Sequence, residues 1–222
     1  MRRLRDGDRR HHRAALNERE IVRRGYDAIA STYADWRIEG NPAEAFVRDL
    51  DARLPNGADV LELGCGNGRP GAALLTARHR YTGVDISGEQ LARARALLPA
   101  ASFVQADYTE LDVEAGSLDA VAAILTLTHV PRDEHASVLT RIAGWLRPGG
   151  LFLASFGTGD TPGEVEEDRL VAPLYFSHFD EETNRRLVRE AGFELLRDEV
   201  HAMIEEGQGE ARFLWLLGRR RA

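Results

Sequence analysis

From residue 59 to residue 156, short apolar runs alternate with stretches in which apolar residues recur at helical spacing. Such alternation is typical of parallel strands that are joined by crossover helices. The runs are almost continuously apolar, as expected when helices cover both faces of a sheet. The pattern therefore predicts an α/β fold. The predicted strands are Asp59–Leu63, Tyr81–Val84, Ser102–Gln105, Leu118–Leu125 and Leu151–Phe156, and the predicted helices are Pro70–Arg78, Gly88–Leu98 and Asp133–Leu146.

Further elements are predicted on both sides of this core. Apolar residues recur at three- and four-residue steps from Glu20 to Ala34, and a second amphipathic stretch runs from Pro42 to Leu54. Residues 157–178 are rich in glycine and proline, so we expect a loop-rich excursion over the active face. The last two strands are close enough in sequence to form only a hairpin, which makes the final strand antiparallel. The closing elements are a helix over Asp180–Ala191 and strands over Phe193–Val200 and Ala211–Gly218.

Composition excludes several kinds of chemistry. All 29 basic residues are arginine, so a Schiff-base lysine, a lysine base and a P-loop lysine are impossible. The single cysteine, Cys65, excludes an intramolecular disulfide and a cysteine-rich zinc site. The net charge of -7 argues against nucleic-acid binding, and we interpret the arginine-rich residues 1–13 as a solvated tail. No apolar run approaches the roughly 20 residues of a membrane span, and no signal-peptide pattern is present, so we expect a cytoplasmic protein without a membrane partner.

The strongest motif follows the first strand of the core. The strand runs directly into Gly64, Gly66 and Gly68, and a predicted helix comes next. Glycine lets the chain turn sharply there and lets its backbone approach a ligand closely. In a parallel sheet this turn lies at the carboxyl edge, where ligands bind. Tight strand–helix turns without a ligand also use glycine, so the motif alone leaves a purely structural role open.

Two further strands end in an acidic residue at the same edge. Asp85 follows the second strand, where a carboxylate accepts hydrogen bonds from both hydroxyls of a ribose. Asp107 follows the third strand, where a carboxylate accepts a hydrogen bond from an adenine amino group. A fold that binds a nicotinamide dinucleotide is the main alternative interpretation of these motifs. That fold prefers its third glycine one residue later, and it needs neither Asp107 nor an antiparallel last strand.

The last motif is the segment Leu146–Leu153. There we expect a helix to be capped at Gly149–Gly150 before a strand begins. Together the motifs resemble the class I S-adenosylmethionine-dependent methyltransferases, from Ile21 to Arg219. The resemblance implies a Rossmann-like, seven-stranded, mostly parallel sheet with an antiparallel last strand, helices on both faces and an N-terminal helical lid. It implies a flexible basic arm (1–20) and one domain (21–222), divided into the lid (21–54), the cofactor-binding core (55–156), a substrate-side excursion (157–179) and a C-terminal helix and β-hairpin (180–222).

The resemblance also implies S-adenosyl-L-methionine as cofactor and S-adenosyl-L-homocysteine as product. In that family the acid at Glu62 and the glycines hold the methionine part, the acid at Asp85 holds the ribose, and the acid at Asp107 holds the adenine. The segment Asp119–Pro131 matches the one that flanks the methyl group, and the helix over Tyr26–Tyr33 resembles the lid. The implied cofactor-binding residues are Tyr33, Glu62, Gly64, Cys65, Gly66, Asn67, Gly68, Asp85, Ile86, Gln90, Ala106, Asp107, Tyr108, Ile124 and Leu125.

His129 is the candidate catalytic residue. It follows the fourth strand beside the expected position of the methyl group, and histidine titrates near neutral pH, as a general base must. The alternative is a histidine that only packs or hydrogen-bonds near the start of a helix. Aromatic residues at the end of the excursion line a substrate pocket or anchor the loop. The candidate substrate-binding residues are Tyr26, Arg37, Thr128, His129, Tyr175, His178 and Arg212.

These residues predict an enzyme that transfers a methyl group by in-line displacement to oxygen, nitrogen, carbon or sulfur of a small molecule. No acidic and histidine cluster with metal-ligand spacing is present, so we expect no metal. We expect a role in natural-product biosynthesis and a monomer or homodimer. Two alternatives remain open: a cofactor-binding enzyme that catalyses a non-methylating reaction such as cyclisation, and a pseudo-enzyme with a regulatory role.

Overall fold

The computed structural model describes residues 17–33, 38–167, 172–205 and 209–222. The helices of these ranges are α1 (Glu18–Tyr33), α2 (Ala43–Arg53), α3 (Gly71–Leu75), α4 (Gly88–Leu97), α5 (His135–Trp145) and α6 (Glu181–Glu190). None of these helices is long and apolar enough to cross a membrane. The strands are β1 (Ile38–Glu39), β2 (Asp59–Leu63), β3 (Arg80–Asp85), β4 (Ser102–Gln105), β5 (Leu118–Ala123), β6 (Leu146–Gly157), β7 (Thr161–Glu166), β8 (Leu174–His178), β9 (Phe193–Glu205) and β10 (Gly209–Arg220).

The main sheet has the strand order β1-β9-β10-β6-β5-β2-β3-β4. Strands β2 to β6 pair in parallel, whereas β10 is antiparallel to both β6 and β9. The predicted Rossmann-like sheet, mostly parallel with an antiparallel last strand, is therefore confirmed. The sequence did not predict β1, a two-residue strand that extends the sheet by pairing with β9.

Side chains of neighbouring residues in the central strands enter two separate cores. Val121 and Ala123 of β5 pack in one core together with α5 and α6, whereas Ala120 and Ala122 pack in the other together with α2 and α3. This alternation follows from the two-residue period of a strand. Because both faces are covered, β5 is apolar from Ala120 to Ala123, and the predicted helices on both faces are confirmed.

The first helix lies across the carboxyl edge of the sheet. The Ser87 hydroxyl at the start of α4 donates to the Asp27 carboxylate of α1 at 2.7 Å. On another side, a Cβ on Gly25 would lie only 2.5 Å from Leu174 of β8, so helix and strand are in close contact. The predicted N-terminal helical lid is present as α1. The other helix of segment 21–54, α2, packs on the sheet beside α3.

The segment that joins α5 to β6 differs from its prediction. The helix ends at Trp145 and the strand begins at Leu146, whereas the sequence predicted a helix to Leu146, its end at the Gly149–Gly150 cap and a strand only from Leu151. The proline in this segment disfavours helical backbone at the residue before it. Residues 147–150 instead form an irregularity at which the pairing with β5 shifts register, and Gly149 adopts a φ of +80°.

The excursion over residues 157–178 is more regular than its glycine and proline content predicted. It contains β7 and β8, which form a separate antiparallel pair. Pro162 and Gly163 lie where the register shifts between Thr161 and Glu164, so the residues that indicated a loop interrupt the ladder instead. Proline and glycine are tolerated in strands at such bulges. The prediction of a loop-rich excursion was therefore wrong for these two strands.

Candidate functional site

A cavity of about 400 Å³ lies at the carboxyl ends of β2, β3 and β5, below α1. Its walls come from the turns that follow these strands, from α1, from the start of α2 and from the 3-10 helix Leu127–His129. This is the edge at which a parallel sheet is expected to bind its ligand. The predicted cofactor residues on the wall are Glu62, Gly64, Cys65, Gly66, Asn67, Asp85, Ile86, Gln90, Asp107, Tyr108, Ile124 and Leu125.

The turn after β2, which contains Gly64, Gly66 and Gly68 and is called the glycine turn here, packs closely against other protein atoms at Gly64 and is open at Gly66. Gly64 has a φ of +64°, and a Cβ on it would lie 2.2 Å from Oγ1 of Thr126. Gly66 has a φ of +52°, and no described atom lies within 4 Å of the position of its Cβ. Both backbone conformations favour glycine. The turn therefore packs against the end of β5 at Gly64 and leaves room for a ligand over Gly66.

The Asp85 carboxylate at the end of β3 is buried and is held by backbone donors. Its Oδ2 accepts the N–H of Gly66 at 2.8 Å, and its Oδ1 accepts the N–H of Ser87 at 2.8 Å. Burial raises the pKa of Asp85, and the two backbone donors act in the opposite direction. Each oxygen retains a lone pair for a further donor on the cavity side. The group is therefore suited to a pair of vicinal hydroxyls.

Glu62 of β2 is a second buried carboxyl group on the cavity wall, with 3% of its surface exposed. The Tyr81 hydroxyl donates to its Oε2 at 2.5 Å. A Cβ on Gly71 would lie 2.1 Å from the same oxygen, so the start of α3 closes against the carboxyl group. Burial raises the pKa of Glu62 to about 7. A cation in the cavity would favour the ionised form.

Asp107 pairs with protein groups through both oxygens, by hydrogen bonds at Oδ1 and by an ion pair without hydrogen-bond geometry at Oδ2. The backbone N–H and the hydroxyl of Thr109 donate to Oδ1 at 2.8 and 2.7 Å. Oδ2 lies 2.5 Å from Nε of Arg19 on α1, and Arg19 also donates to Glu134 at 2.6 Å. A ligand that bonds to Asp107 must therefore share Oδ2 with Arg19 or displace it. Because Arg19 has Glu134 as a second partner, it remains paired when it leaves Asp107.

The chain leaves β5 in an unusual backbone conformation. Leu125 has a φ of +51°, which for a residue other than glycine costs about 1–2 kcal/mol. Its N–H donates to the Ser155 hydroxyl at 2.7 Å, which holds the bend. The Tyr108 hydroxyl, which comes from the segment after β4, donates to the carbonyl of Thr126 at 3.2 Å. Strain that is held in this way is common at ligand sites, and here it turns Ile124 and Leu125 towards the cavity.

Both ring nitrogens of His129 have partners. Nδ1 lies 2.7 Å from the carbonyl oxygen of Tyr175 in β8, and Nε2 lies 2.8 Å from the hydroxyl of Tyr26 in α1. The rings of Tyr26 and His129 meet edge to face, with centroids 5.3 Å apart. The histidine is buried with 9% exposure, yet both it and Tyr26 line the cavity. Three separate segments of the chain therefore meet at this imidazole.

Comparisons with known proteins find similar methyltransferases. A family model described as a methyltransferase domain matches residues 60–150. Trans-aconitate 2-methyltransferase of Azoarcus sp. (strain BH72) is 29% identical over 73% of this chain and 72% of the relative. The 27-O-demethylrifamycin SV methyltransferase of Amycolatopsis mediterranei (strain S699) is 32% identical, over 66% of this chain and 62% of the relative. The structure of Burkholderia thailandensis 1,6-didemethyltoxoflavin-N1-methyltransferase with bound S-adenosylhomocysteine matches with a TM-score of 0.66 and 25% identity, over 90% of this chain and 85% of that one. These similarities support a class I S-adenosylmethionine-dependent methyltransferase.

The cofactor of this methyltransferase is S-adenosylmethionine. The cavity fits it: Glu62 and Asp85 supply buried carboxyl groups, the glycine turn supplies room for close approach, and Gln90 supplies an amide. Gln90 is buried with 1% exposure and lines the cavity, yet its amide nitrogen and oxygen have no hydrogen-bond partner among the described residues. Buried polar groups are rarely left without a partner, so Gln90 indicates that a ligand supplies one.

Two further residues that the sequence assigned to the methyltransferase cofactor do not line the cavity, and the side chain of a third is not described. Gly68 faces Ala72 of α3, and Ala106 donates its N–H to the carbonyl of Asp85 at 3.1 Å. Tyr33 ends α1, but its side chain is outside the described part of the structure. These assignments stay predictions.

The predicted substrate residues divide in a similar way. Tyr26 and His129 lie on the wall, and Thr128 is buried next to them without lining it. Tyr175 reaches the site through its carbonyl oxygen. His178 bonds to the excursion itself, through Gly159 at 2.5 Å, and Arg212 lies in β10. Arg37 falls outside the described residues. A substrate role for the residues away from the wall stays a prediction.

Several wall residues were not predicted from the sequence. Arg69 follows the glycine turn directly and Thr126 follows Leu125, so adjacency to a motif was an available signal for both. The additional residues of α1 and α2 reach the site through helix docking, which the resemblance implied only for the lid helix over Tyr26–Tyr33. Within the described ranges, no group of three or more histidine, cysteine or acidic side chains is arranged to hold a metal ion. The additional wall residues are Arg19, Val22, Asn41, Ala43, Glu44, Arg69, Pro70, Thr109, Thr126, Val130 and Pro131.

Proposed function

We propose that this methyltransferase acts on an oxygen or nitrogen of a small molecule that must lose a proton, and that His129 takes up this proton through Tyr26. The observation that carries the proposal is the pair of hydrogen bonds at the His129 ring. The size of the cavity, about 400 Å³, supports a small acceptor, since pockets for small molecules commonly measure about 300–1,000 Å³.

The hydrogen bonds at His129 determine where its proton lies. A carbonyl oxygen only accepts, so the contact with Tyr175 requires a proton on Nδ1. In the neutral ring Nε2 then carries the lone pair, and it accepts the hydroxyl proton of Tyr26. The backbone of β8 therefore holds the imidazole in the tautomer that a general base on the cavity side requires.

A proton relay follows from this arrangement. As the Tyr26 oxygen takes the acceptor's proton, its own proton moves to Nε2 of His129. The imidazolium that results carries protons on both nitrogens, and the carbonyl of Tyr175 stabilises the one on Nδ1. The ring of Phe176, with its centroid 4.8 Å from that of His129, limits the access of water to this side.

Other residues position the acceptor and the cofactor relative to each other. When bound, the cofactor supplies a methyl group that is activated on a sulfonium. Leu125 and Ile124 shape the wall below the reacting groups, and α1 covers them. Holding the acceptor in line in this way contributes up to about 7–11 kcal/mol in favourable cases, and a general base adds about 10²–10⁴-fold in rate.

We further propose that the setting is natural-product tailoring in the cytoplasm, by a monomer or homodimer that does not act on nucleic acid. The names of two similar proteins support the setting, since they refer to a rifamycin and to a toxoflavin precursor. The free, buried Cys65 gives no indication of an oxidising compartment.

Phenols of graded acidity test the proposed base. With weakly acidic phenols we expect His129→Gln and Tyr26→Phe to reduce the rate at pH 7 by about 10²–10⁴-fold and at least tenfold, respectively. Phenols that are already ionised at that pH need no base, so both variants should methylate them at close to the wild-type rate. His201→Gln is the matched control, since His201 bonds to Glu199 away from the cavity.

The readout is the methylated product by mass together with released S-adenosylhomocysteine. An equal loss of rate with ionised and protonated phenols in His129→Gln would contradict the role as a base. Conversion of a substrate without release of S-adenosylhomocysteine would favour the non-methylating alternative.

A further inference from the structure

The hydroxyl of Tyr81 is buried beneath the cofactor cavity, in contact with a cavity-wall carboxyl group. Tyr81 lies at the second position of β3 and has 5% of its surface exposed. Its hydroxyl donates to Oε2 of Glu62 at 2.5 Å. Tyr81 was not among the site residues expected from the sequence, and it does not line the cavity itself. Its contact with the site is made through Glu62.

The surroundings leave the Tyr81–Glu62 pair little freedom. A Cβ on Gly71 would lie 2.1 Å from the Glu62 carboxyl group, and a Cβ on Gly83 would lie 2.9 Å from the Tyr81 hydroxyl. Backbone therefore closes in on both partners. The ring of Tyr81 packs edge to face against Phe103, with centroids 6.2 Å apart. The carboxyl group is thus fixed in place, with the cavity as its open side.

The charged and titratable groups around Glu62 are few. Tyr81 faces it from β3, Asp85 from the end of the same strand, and Cys65 from the glycine turn, while α3 presents the backbone N–H of Ala72. Burial and the nearby Asp85 raise the pKa of Glu62, whereas the hydrogen bond from Tyr81 lowers it. Among these described partners there is no cation, so without a cationic ligand the surroundings favour the neutral acid.

We propose that Tyr81 is a positioning residue of the cofactor site, whose hydroxyl holds the Glu62 carboxyl group for the ammonium of S-adenosylmethionine, and that entry of the ammonium expels the proton of Glu62. In this exchange the neutral acid and the ammonium become a carboxylate–ammonium pair, and one proton passes to solvent. The inference rests on the proposed function, with Glu62 receiving the methionine part as the resemblance to the family implies.

The hydroxyl acts in two ways. It fixes the position of the carboxyl group, and its donated hydrogen bond favours the anion that the ammonium needs. Without it Glu62 would hold its proton more strongly, and cofactor binding would require a higher pH. Removing the hydroxyl should therefore change the pH dependence of binding, which a change in packing alone would not.

Calorimetric titration with S-adenosylhomocysteine, from pH 6 to pH 9 and in two buffers of different ionisation enthalpy, tests the proposal. For the wild type we expect the Kd to fall by about tenfold per pH unit up to about pH 7 and then to level off. The difference in binding enthalpy between the two buffers should correspond to release of up to one proton per ligand at pH 6 and almost none at pH 9. In Tyr81→Phe the pH at which the Kd levels off should rise by about one unit, so binding is about tenfold weaker at pH 6, about fivefold weaker at pH 7 and within about twofold at pH 9.

Two controls separate positioning from packing. 5′-Methylthioadenosine lacks the ammonium, so Tyr81→Phe and pH should leave its Kd unchanged within about twofold. Phe103→Leu alters the packing of the Tyr81 ring without touching Glu62, and it should keep the wild-type pH profile. Glu62→Gln should bind S-adenosylhomocysteine weakly at every pH and release no proton.

A pH-independent Kd in the wild type, or equal weakening of both ligands in Tyr81→Phe, would overturn the inference and leave the proposed function standing. Failure of the wild type to bind S-adenosylhomocysteine at any pH would overturn both. The wild-type proton count decides the coupling even where a variant folds poorly.

Discussion

Gly64 occupies a position where backbone conformation and packing both exclude a side chain. Its φ of +64° lies in the left-handed region, and a Cβ there would lie 2.2 Å from the Thr126 hydroxyl oxygen. The first property costs an alanine about 1–2 kcal/mol, and the second forces the glycine turn away from the end of β5. These two adjacent segments both line the cofactor cavity, so the glycine helps to determine the shape of the site.

Gly64→Ala should therefore lower the free energy of unfolding by about 3 kcal/mol or more, because strain and overpacking add. Gly116→Ala is a matched control, since Gly116 also has a φ of +64° but no described atom within 4 Å of its Cβ position. It should cost only about 1–2 kcal/mol and leave the affinity for S-adenosylhomocysteine unchanged. Urea denaturation measures the free energy of unfolding of both variants. Equal decreases would show that the close approach to Thr126 does not contribute to the cost of the substitution.

Single residues of the site differed in how far the sequence could predict them. Asp85 and Glu62 could be placed, because their positions follow from the ends of predicted strands. The partner of Asp107 could not, since Arg19 reaches it from a helix 88 positions earlier in the chain. A site role for Tyr81 could not be predicted either, because in the sequence Tyr81 is one of several residues in an ordinary apolar strand.

The helix α1 is the element that completes the site. It contributes Arg19 to Asp107, Tyr26 to His129, and Asp27 to the Ser87 hydroxyl. These contacts lie on three different loops at the carboxyl edge, so the docking of one helix sets the geometry of several groups at once. Anything that lifts α1 should weaken cofactor binding and catalysis together.

Gly25→Ala tests this docking. Alanine in a helix normally stabilises by about 0.5–1 kcal/mol relative to glycine, but here its Cβ would lie 2.5 Å from Leu174 and from the carbonyl of Pro173. Relative to the wild type, we expect faster hydrogen exchange of the α1 backbone amides and a turnover rate at least tenfold lower. Gly144→Ala in α5 is the control, because its Cβ has no described neighbour within 4 Å. It should raise stability by about 0.5–1 kcal/mol, and a similar gain in Gly25→Ala would contradict close docking.

At the level of elements, local patterns determined what the sequence could predict. The alternation of β2 to β6 with helices follows from local periodicity, which is visible in a single chain. The pair β7 and β8 was missed because Pro162 and Gly163 indicate a loop, and only the partner strand makes that bulge tolerable. The early start of β6 at Leu146 was missed for the same reason, since its pairing with Leu118 is not a local property.

In the whole molecule, the parallel sheet brings distant acids to one edge. Strands β2, β3 and β4 end side by side, so Glu62, Asp85 and Asp107 gather around one cavity although they are far apart in sequence. The opposite faces of the sheet carry the two cores, which leaves the edge free for chemistry. This arrangement explains how a family with variable acceptors can keep one cofactor site.

The most direct measurement is a calorimetric titration of the protein with S-adenosylhomocysteine and, in parallel, with a nicotinamide dinucleotide. The account predicts one-to-one binding of S-adenosylhomocysteine alone. In Asp85→Ala, loss of the charged hydrogen bonds to the ribose should weaken binding by about 1.5–3 kcal/mol, or about 10–150-fold, whereas Asp49→Ala outside the cavity should bind as the wild type does. Undiminished affinity in Asp85→Ala, or tighter binding of the dinucleotide, would contradict the assignment of this edge to the nucleoside of the cofactor.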